Sequence, residues 1–394
     1  MHRTLRIAAT LALLASVAAC YPNFTPQSFI DKPRILGIRA DPPEVQFSDE
    51  AQGTVTLTAF LALPELPKDE PPGPRRLESL EWSMCVLNLG ATAGYKCALP
   101  ETPLESDFEA RTATFDGADL YGLLELIRPL MPDFIEFVKQ TVAQDDECQN
   151  AVIDTWDACV DANGGDATAC IDPGFEAERT CLIEKGQDIT FHLKATWTDD
   201  AQPPGTPEKF VADAYKKAFF RPITAERPAN RIPAFSLWVH PSKPLASVPV
   251  TSIRNPAPAV VVRACPEQKV TFEPIPDEDA RETFLDTDGT TKTELLLFSW
   301  YTNAGEFERL KSSTATAAEG DAIDLTNVLE LPKAQDFPAT FPVRVFVRDD
   351  RLGLDGLEFQ VQPRDASECT KPEGAPKDWK KPDPEVVLPE GGAA

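Results

Sequence analysis

The sequence predicts a mainly β protein of two tandem β-sandwiches, the first interrupted by a disulfide-stapled α-helical insertion. Three observations carry this. Short runs of alternating apolar and polar residues, separated by Pro- and Gly-rich loops, flank a block whose apolar residues return at helical spacing. That block holds four evenly spaced cysteines, Cys148, Cys159, Cys170 and Cys181. With 394 residues, 38 of them proline, the chain has length for two or three domains and the punctuation expected of short strands.

At the N-terminus, Arg3 and Arg6 precede an uncharged, mostly apolar run from Ile7 to Ala19. A bilayer crossing needs about twenty apolar residues, so residues 1–19 read as a signal peptide and not as a span. Val17-Ala18-Ala19-Cys20 resembles the lipobox of bacterial lipoproteins. That resemblance implies removal of the leader, acylation at Cys20 (palmitate among the chains) and a lipid bilayer as partner. Several acyl chains anchor a protein without a spanning helix. Tyr21 stands where lipoproteins kept at the inner membrane often carry Asp. The same resemblance therefore points to the outer membrane, with the body facing the periplasm or the cell surface. Residues 20–32 then read as a polar, proline-punctuated tether.

The first sandwich is expected over residues 33–255. "RILGIRADPPEVQFSDEAQGTVTLTAFLAL" reads as two strands around a Pro-Pro break, with Val55, Leu57, Ala59 and Leu61 alternating with Thr54, Thr56, Thr58 and Phe60. In "LESLEWSMCVLNL", Leu80, Trp82, Met84 and Val86 share one face, Trp82 as a core residue. Cys85 faces the other way, where Cys97 can meet it after a turn at Gly90–Gly94. Helical spacing begins with Leu120, Leu123, Leu124 and Ile127 and continues with Phe134, Phe137 and Val138, so residues 118–184 form the insertion. "QDITFHLKATWTDD" returns to strand alternation. "AQPPGTPEKFVADAYKKAFFRP" reads as a loop with a short helix, and "IPAFSLWVH" to "SVPVTSI" as further strands with Trp197 and Trp238 in the core.

The cysteines of the insertion have three candidate roles. Zinc sites take ligand pairs two to four residues apart from one tight turn, and redox centres take Cys-x-x-Cys; neither spacing is present. Eleven residues of α-helix make three turns plus about 20°, which puts Cys148 and Cys159 on one face about 16.5 Å apart. Asn163–Asp166 then reverses the chain, so a returning helix sets Cys170 beside Cys159 and Cys181 beside Cys148. Asp172-Pro173-Gly174 interrupts that return, although Asp at the N-cap and Pro at the first position suit a helix start. By domain logic Cys85–Cys97 and Cys265–Cys369 are the remaining pairs, consistent with an exported chain whose eight cysteines besides Cys20 are even in number.

The second sandwich is expected over residues 256–363. "TELLLFSWYTNAGEFE", "NVLELP" and "FPVRVFVRDDRLGLDGLEFQVQP" carry its strands, with Val343, Val345 and Val347 on one face and Phe341, Arg344 and Phe346 outside that pattern. Residues 364–394, rich in proline and charge, read as a disordered tail. Ser299-Trp300-Tyr301 through Gly305, with "VRVFVRDDRLGLDG", resembles the PKD and immunoglobulin-like modules of bacterial surface lipoproteins. "RILGIRADPPEV" is similar to the start of a group of myxobacterial lipoproteins. Together these cover about half of the mature chain. They imply tandem immunoglobulin-like sandwiches, Trp300 packed between sheets, Asp349-Asp350 beside the final hairpin, and adhesive, spacing or scaffold roles without catalysis.

The formal net charge of −25 repels phosphate backbones and so disfavours nucleic acid. Walker, G-x-G-x-x-G, G-x-S-x-G and H-E-x-x-H motifs do not occur, so no nucleotide and no zincin chemistry is expected. Past the leader the histidines are His192 and His240, and His192 reads as a surface or edge residue. Calcium is the one candidate cofactor. "DTDGTTKTE" offers Asp286, Asp288 and Glu294, but its glycine falls at the fourth loop position where an EF-hand needs it at the sixth. "RDDRLGLDG" offers Asp349, Asp350 and Asp355; plain solvated turns are the competing reading. The expected function is non-catalytic binding or scaffolding at the envelope, with another envelope protein as partner. The alternative is an enzyme or a glycan-binding module, which a cleft holding His192 or His240 beside carboxylates, or a row of exposed aromatics, would favour.

Overall fold

The computed structural model describes residues 27–48, 51–64, 75–86, 88, 95, 97, 100–141, 147–199, 208–225, 228–240, 243–245, 260–285, 290–315 and 323–387. The leader, Cys20, Asp286 and Asp288 lie outside them. The fold is mainly β, with a disulfide-stapled helical module. No described helix is long and apolar enough to cross a membrane.

The first sandwich opposes two sheets. One contains β1 (Arg34–Asp41), β3 (Thr54–Ala62), β7 (Thr112–Asp116) and β6 (Ser106–Asp107), in that order. The other runs β2 (Glu44–Gln46), β9 (Glu208–Arg221), β8 (Gln187–Asp199), β4 (Arg75–Cys85) and β5 (Thr102–Pro103). Alternation sorts the side chains: Val55, Leu57 and Ala59 of β3 and Ile189, Phe191, Leu193 and Ala195 of β8 meet in one core with Trp82 and Trp197. A register shift between Ile35 and Gly37 reverses the parity of β1, so Ile38 and Ala40 enter this core while Leu36 turns outward.

Between β7 and β8 the chain forms α1 (Gly117–Ile127), α2 (Met131–Thr141), α3 (Glu147–Ala162) and α4 (Ile171–Lys185). Leu120, Met131, Ile135, Val152, Trp156 and Phe175 join the first core, so the insertion is a cap on the sandwich. Cys148 bonds Cys181 and Cys159 bonds Cys170, a nested staple across the α3–α4 hairpin. Asp172-Pro173-Gly174 does not interrupt α4. Pro173 falls in its first turn, where its missing N–H has no helical acceptor. Gly174 is required by packing, because a Cβ there would sit 2.6 Å from Trp156 Cε3.

The second sandwich opposes β11 (Lys243–Leu245), β10 (Phe235–Val239), β13 (Lys269–Pro276), β19 (Asn327–Glu330) and β17 (Glu306–Phe307) to a six-stranded sheet. That sheet runs β18 (Lys311–Ser313), β16 (Leu297–Thr302), β20 (Phe341–Arg348), β21 (Leu354–Pro363), β12 (Val261–Ala264) and β22 (Glu385–Val387). Trp300 is fully buried, 5.3 Å from the Phe307 ring, and its indole N–H donates to Ser312 Oγ at 3.3 Å. A small hairpin of β14 (Thr283–Leu285) and β15 (Thr291–Thr293) stands apart from both sheets.

Several expectations are corrected. Glu208–Arg221 is a strand and not a loop with a short helix, because Phe210, Ala212, Ala214, Ala218 and Phe220 alternate into the first core. Strand β10 pairs with β13, so the second sandwich begins before residue 256. Trp238 points off that sheet and is 41% exposed. Phe341 does share the face of Val343, Val345 and Val347, whereas Phe346 faces the first sandwich. The tail is ordered as far as Val387: Cys369 bonds Cys265, β22 pairs with β12, and Lys381 Nζ donates to the Pro266 carbonyl at 2.6 Å. The tether is also tied down, since Ile30 is buried and exchanges backbone hydrogen bonds with Thr302 through its own N–H and the Ser28 carbonyl.

Candidate functional site

The seam between the sandwiches concentrates the buried polar chemistry. Its apolar half is Ile30, Leu36, Phe60 and Ala62 packed on Phe346 and Leu354, with the Phe60 and Phe346 rings 5.1 Å apart. Phe60 and Ala62 reach it because they alternate with the core residues of β3. Its polar half centres on Glu44 of β2. The Glu44 carboxylate accepts from Arg221 at 2.6 Å, from the Asn230 backbone N–H at 2.9 Å and from Arg351 of the second sandwich at 3.0 Å.

Arg351 binds three carboxylates at once. Its second terminal nitrogen lies 3.2 Å from Glu282 and 3.3 Å from Glu294, and its guanidinium sits 4.8 Å from the Phe284 ring centroid. Delocalised, planar charge with several donors suits arginine to this and would not suit lysine. Burial pushes the Glu294 carboxyl up to about 7, with Asp349 and Glu282 adding repulsion against the pull of Arg351.

Beside this lock a cleft of about 450 Å³ opens between the domains. Tyr95, Thr190, Asp213, Tyr215 and Lys216 line it from the first sandwich, and Arg348, Asp349 and Leu352 from the second. Lys216 sits at the edge of β9 beyond the short reach of β2, and its ammonium donates to the Leu352 carbonyl. Burial lowers its pKa to about 8.

On the outer face of β8 and β9, His192 stacks on Tyr215 with centroids 4.6 Å apart, and Tyr95 stacks on Tyr215 at 5.1 Å. His192 Nδ1 lies 2.9 Å from Glu101 and Nε2 lies 2.9 Å from Asp213, so neither ring nitrogen is left to serve as a base. Burial opposes ionisation of Glu101, but hydrogen bonds from Ser83 and His192 outweigh it and hold that carboxyl below its usual range.

The residues considered for calcium are dispersed among other partners. Asp349 is buried, which raises its pKa, and accepts from Asn230 at 3.1 Å and from the Arg351 and Gly353 backbone N–H groups at 2.9 and 2.6 Å. Asp355 pairs with Arg39 at 3.4 Å, Asp350 accepts from the Leu295 N–H, and Glu294 belongs to the Arg351 cluster. No group of three metal-ligating side chains converges among the described residues. His240 pairs with Glu273 at 2.7 Å on the outer sheet of the second sandwich.

Sequence reasoning missed Arg351, Glu44 and Lys216. An unbroken polar position in an otherwise alternating apolar strand was the one available signal, and Lys216 among Ala212, Ala214 and Ala218 displays it. No known protein family matches the chain, and no curated protein does.

Proposed function

We propose that the chain is an acylated, outer-membrane-anchored lipoprotein acting as a non-catalytic binding or scaffolding unit in an envelope assembly, with another envelope protein as partner. The signal-peptide pattern and lipobox ending at Cys20 support the anchor. The alternating strands and the interior Trp300 support the likeness to PKD and immunoglobulin-like modules. The observation that carries the reading is the seam. Domains joined only by a linker suit a flexible spacer, whereas a shared apolar cluster and the Glu44–Arg351 pair suit one rigid platform.

Along the sequence, Ile30 of the seam follows the proposed anchor residue by ten positions. Cys20 lies eight residues before Ser28, a link that spans at most about 30 Å whatever its conformation. Full occupation of both His192 ring nitrogens supports binding over general-base chemistry.

The test is metabolic labelling with a palmitate analogue, followed by affinity capture from detergent-solubilised envelope. Label in the wild type, none in Cys20→Ser, and a specific envelope protein that is lost from an Arg351→Ala variant are expected. An unlabelled wild type would refute the anchor, and equal capture by both forms would refute the platform.

A further inference from the structure

The interdomain cleft contains donors and positive charge that the fold leaves unused. Lys216 Nζ spends one hydrogen bond on the Leu352 carbonyl, and an ammonium carries three donors. Arg348 makes no side-chain hydrogen bond or ion pair among the described residues.

The lining carboxylates, in contrast, are occupied. Asp349 accepts three hydrogen bonds and Asp213 meets His192. Lys217 is paired with Asp188 at 2.6 Å. The remaining capacity therefore belongs to cations and donors, next to the exposed rings of Tyr95 and Tyr215. A volume of about 450 Å³ suits a small molecule.

We propose that this cleft binds a small carboxylate-bearing ligand, the carboxylate held by Lys216 and Arg348, and the rest of the molecule set against Tyr95 and Tyr215. Charge-assisted hydrogen bonds from ammonium and guanidinium are the strong ones, and they strengthen in a partly desolvated cleft. A chain of formal charge −25 repels anions at long range, so saturable anion binding reports a built site and not diffuse attraction. The inference goes beyond the anchored-scaffold reading and holds with or without acylation.

The charged groups facing Lys216 are Asp349 and Arg348 from the second sandwich; Asp213, Tyr215 and Lys217 of its own strand and Tyr95 line the same cleft from the other face of β9. A bound carboxylate adds negative charge beside this lysine and favours its ammonium form. Binding near pH 8 therefore takes up protons, because the free lysine titrates at about 8.

The experiment is calorimetric titration of the full chain in detergent micelles with glucuronate, with acetate as the bare carboxylate and glucose as the neutral ring. Saturable binding of glucuronate, weaker binding of acetate and none of glucose are expected. Arg348→Gln, at the exposed mouth, should weaken glucuronate at least tenfold, and repetition in two buffers at pH 8 should show proton uptake. Lys216→Met reaches into the interior and removes a buried contact at the edge of β9, so the decision rests on Arg348→Gln. Failure of both carboxylates to bind the folded chain overturns the proposal. So does glucose binding as tightly as glucuronate, or unchanged affinity in Arg348→Gln.

Discussion

Arg351 shows how one side chain can decide a domain arrangement. Replacing it with alanine leaves Glu294 without its cation while Glu44 keeps Arg221 and Glu282 keeps Arg231, so the cost lies at the lower end of the about 3–5 kcal/mol that breaking a buried ion pair takes. Chemical denaturation of Arg351→Ala should therefore show a loss of that order, larger than for any exposed ion pair such as Arg231–Asp279. The pH dependence has a definite sign. Glu294 holds its proton up to about 7 in the fold and only to about 4.5 when unfolded. Between those values the folded state binds more protons, so stability falls as pH rises through that window. Lys216 acts oppositely at higher pH, its folded value of about 8 lying below 10.5, and adds stability as pH rises between the two. Denaturation midpoints from pH 4.5 to 7 should decline in the wild type and flatten in Glu294→Gln. At Gly174 two effects compete. Alanine gains about 1 kcal/mol of helix propensity, but its Cβ would lie 2.6 Å from Trp156, and overpacking costs about 1–3 kcal/mol. Overlap with a rigid ring should win, and thermal melting of Gly174→Ala should show a lower midpoint.

At the scale of elements, legibility followed periodicity. Strands with strict alternation, such as β3 and β8, could be read directly, and so could the start and end of the insertion. The staple was legible because helix geometry converts a spacing of eleven into a shared face. Strand β9 was not, because alanine and lysine favour helices and its inward residues are mostly small. Pairing with β8 along its full length, from Gln187↔Phe220 to Asp199↔Glu208, overrides that preference. The tail was misread for a related reason. It lacks the apolar area to fold alone, but Cys369 clamps it to Cys265 and lets β22 add to an existing edge. Closing a loop of 104 residues restricts the unfolded chain by about 4–5 kcal/mol. The Cys265→Ser/Cys369→Ser variant should lose much of this in denaturation, and limited proteolysis should then cut after Pro363.

For the whole molecule, the sandwiches and their cores were visible in sequence, but the seam was not. Its members come from two distant stretches, Glu44 with Phe60 and Phe346 with Arg351, and alternation along β3 and β20 assigns Phe60 and Phe346 to solvent. Only the meeting of the two outer faces makes them interior. The same juxtaposition creates the cleft, so candidate site and domain lock share one origin. The seam predicts that the two sandwiches unfold as one cooperative body. Differential scanning calorimetry of the full chain tests it most directly, alongside a Phe346→Ser/Arg351→Ala variant that removes an apolar and a polar contact across the seam. We expect a single transition in the wild type and two separated transitions in the variant. Two transitions already present in the wild type, unmoved by the substitutions, would contradict it.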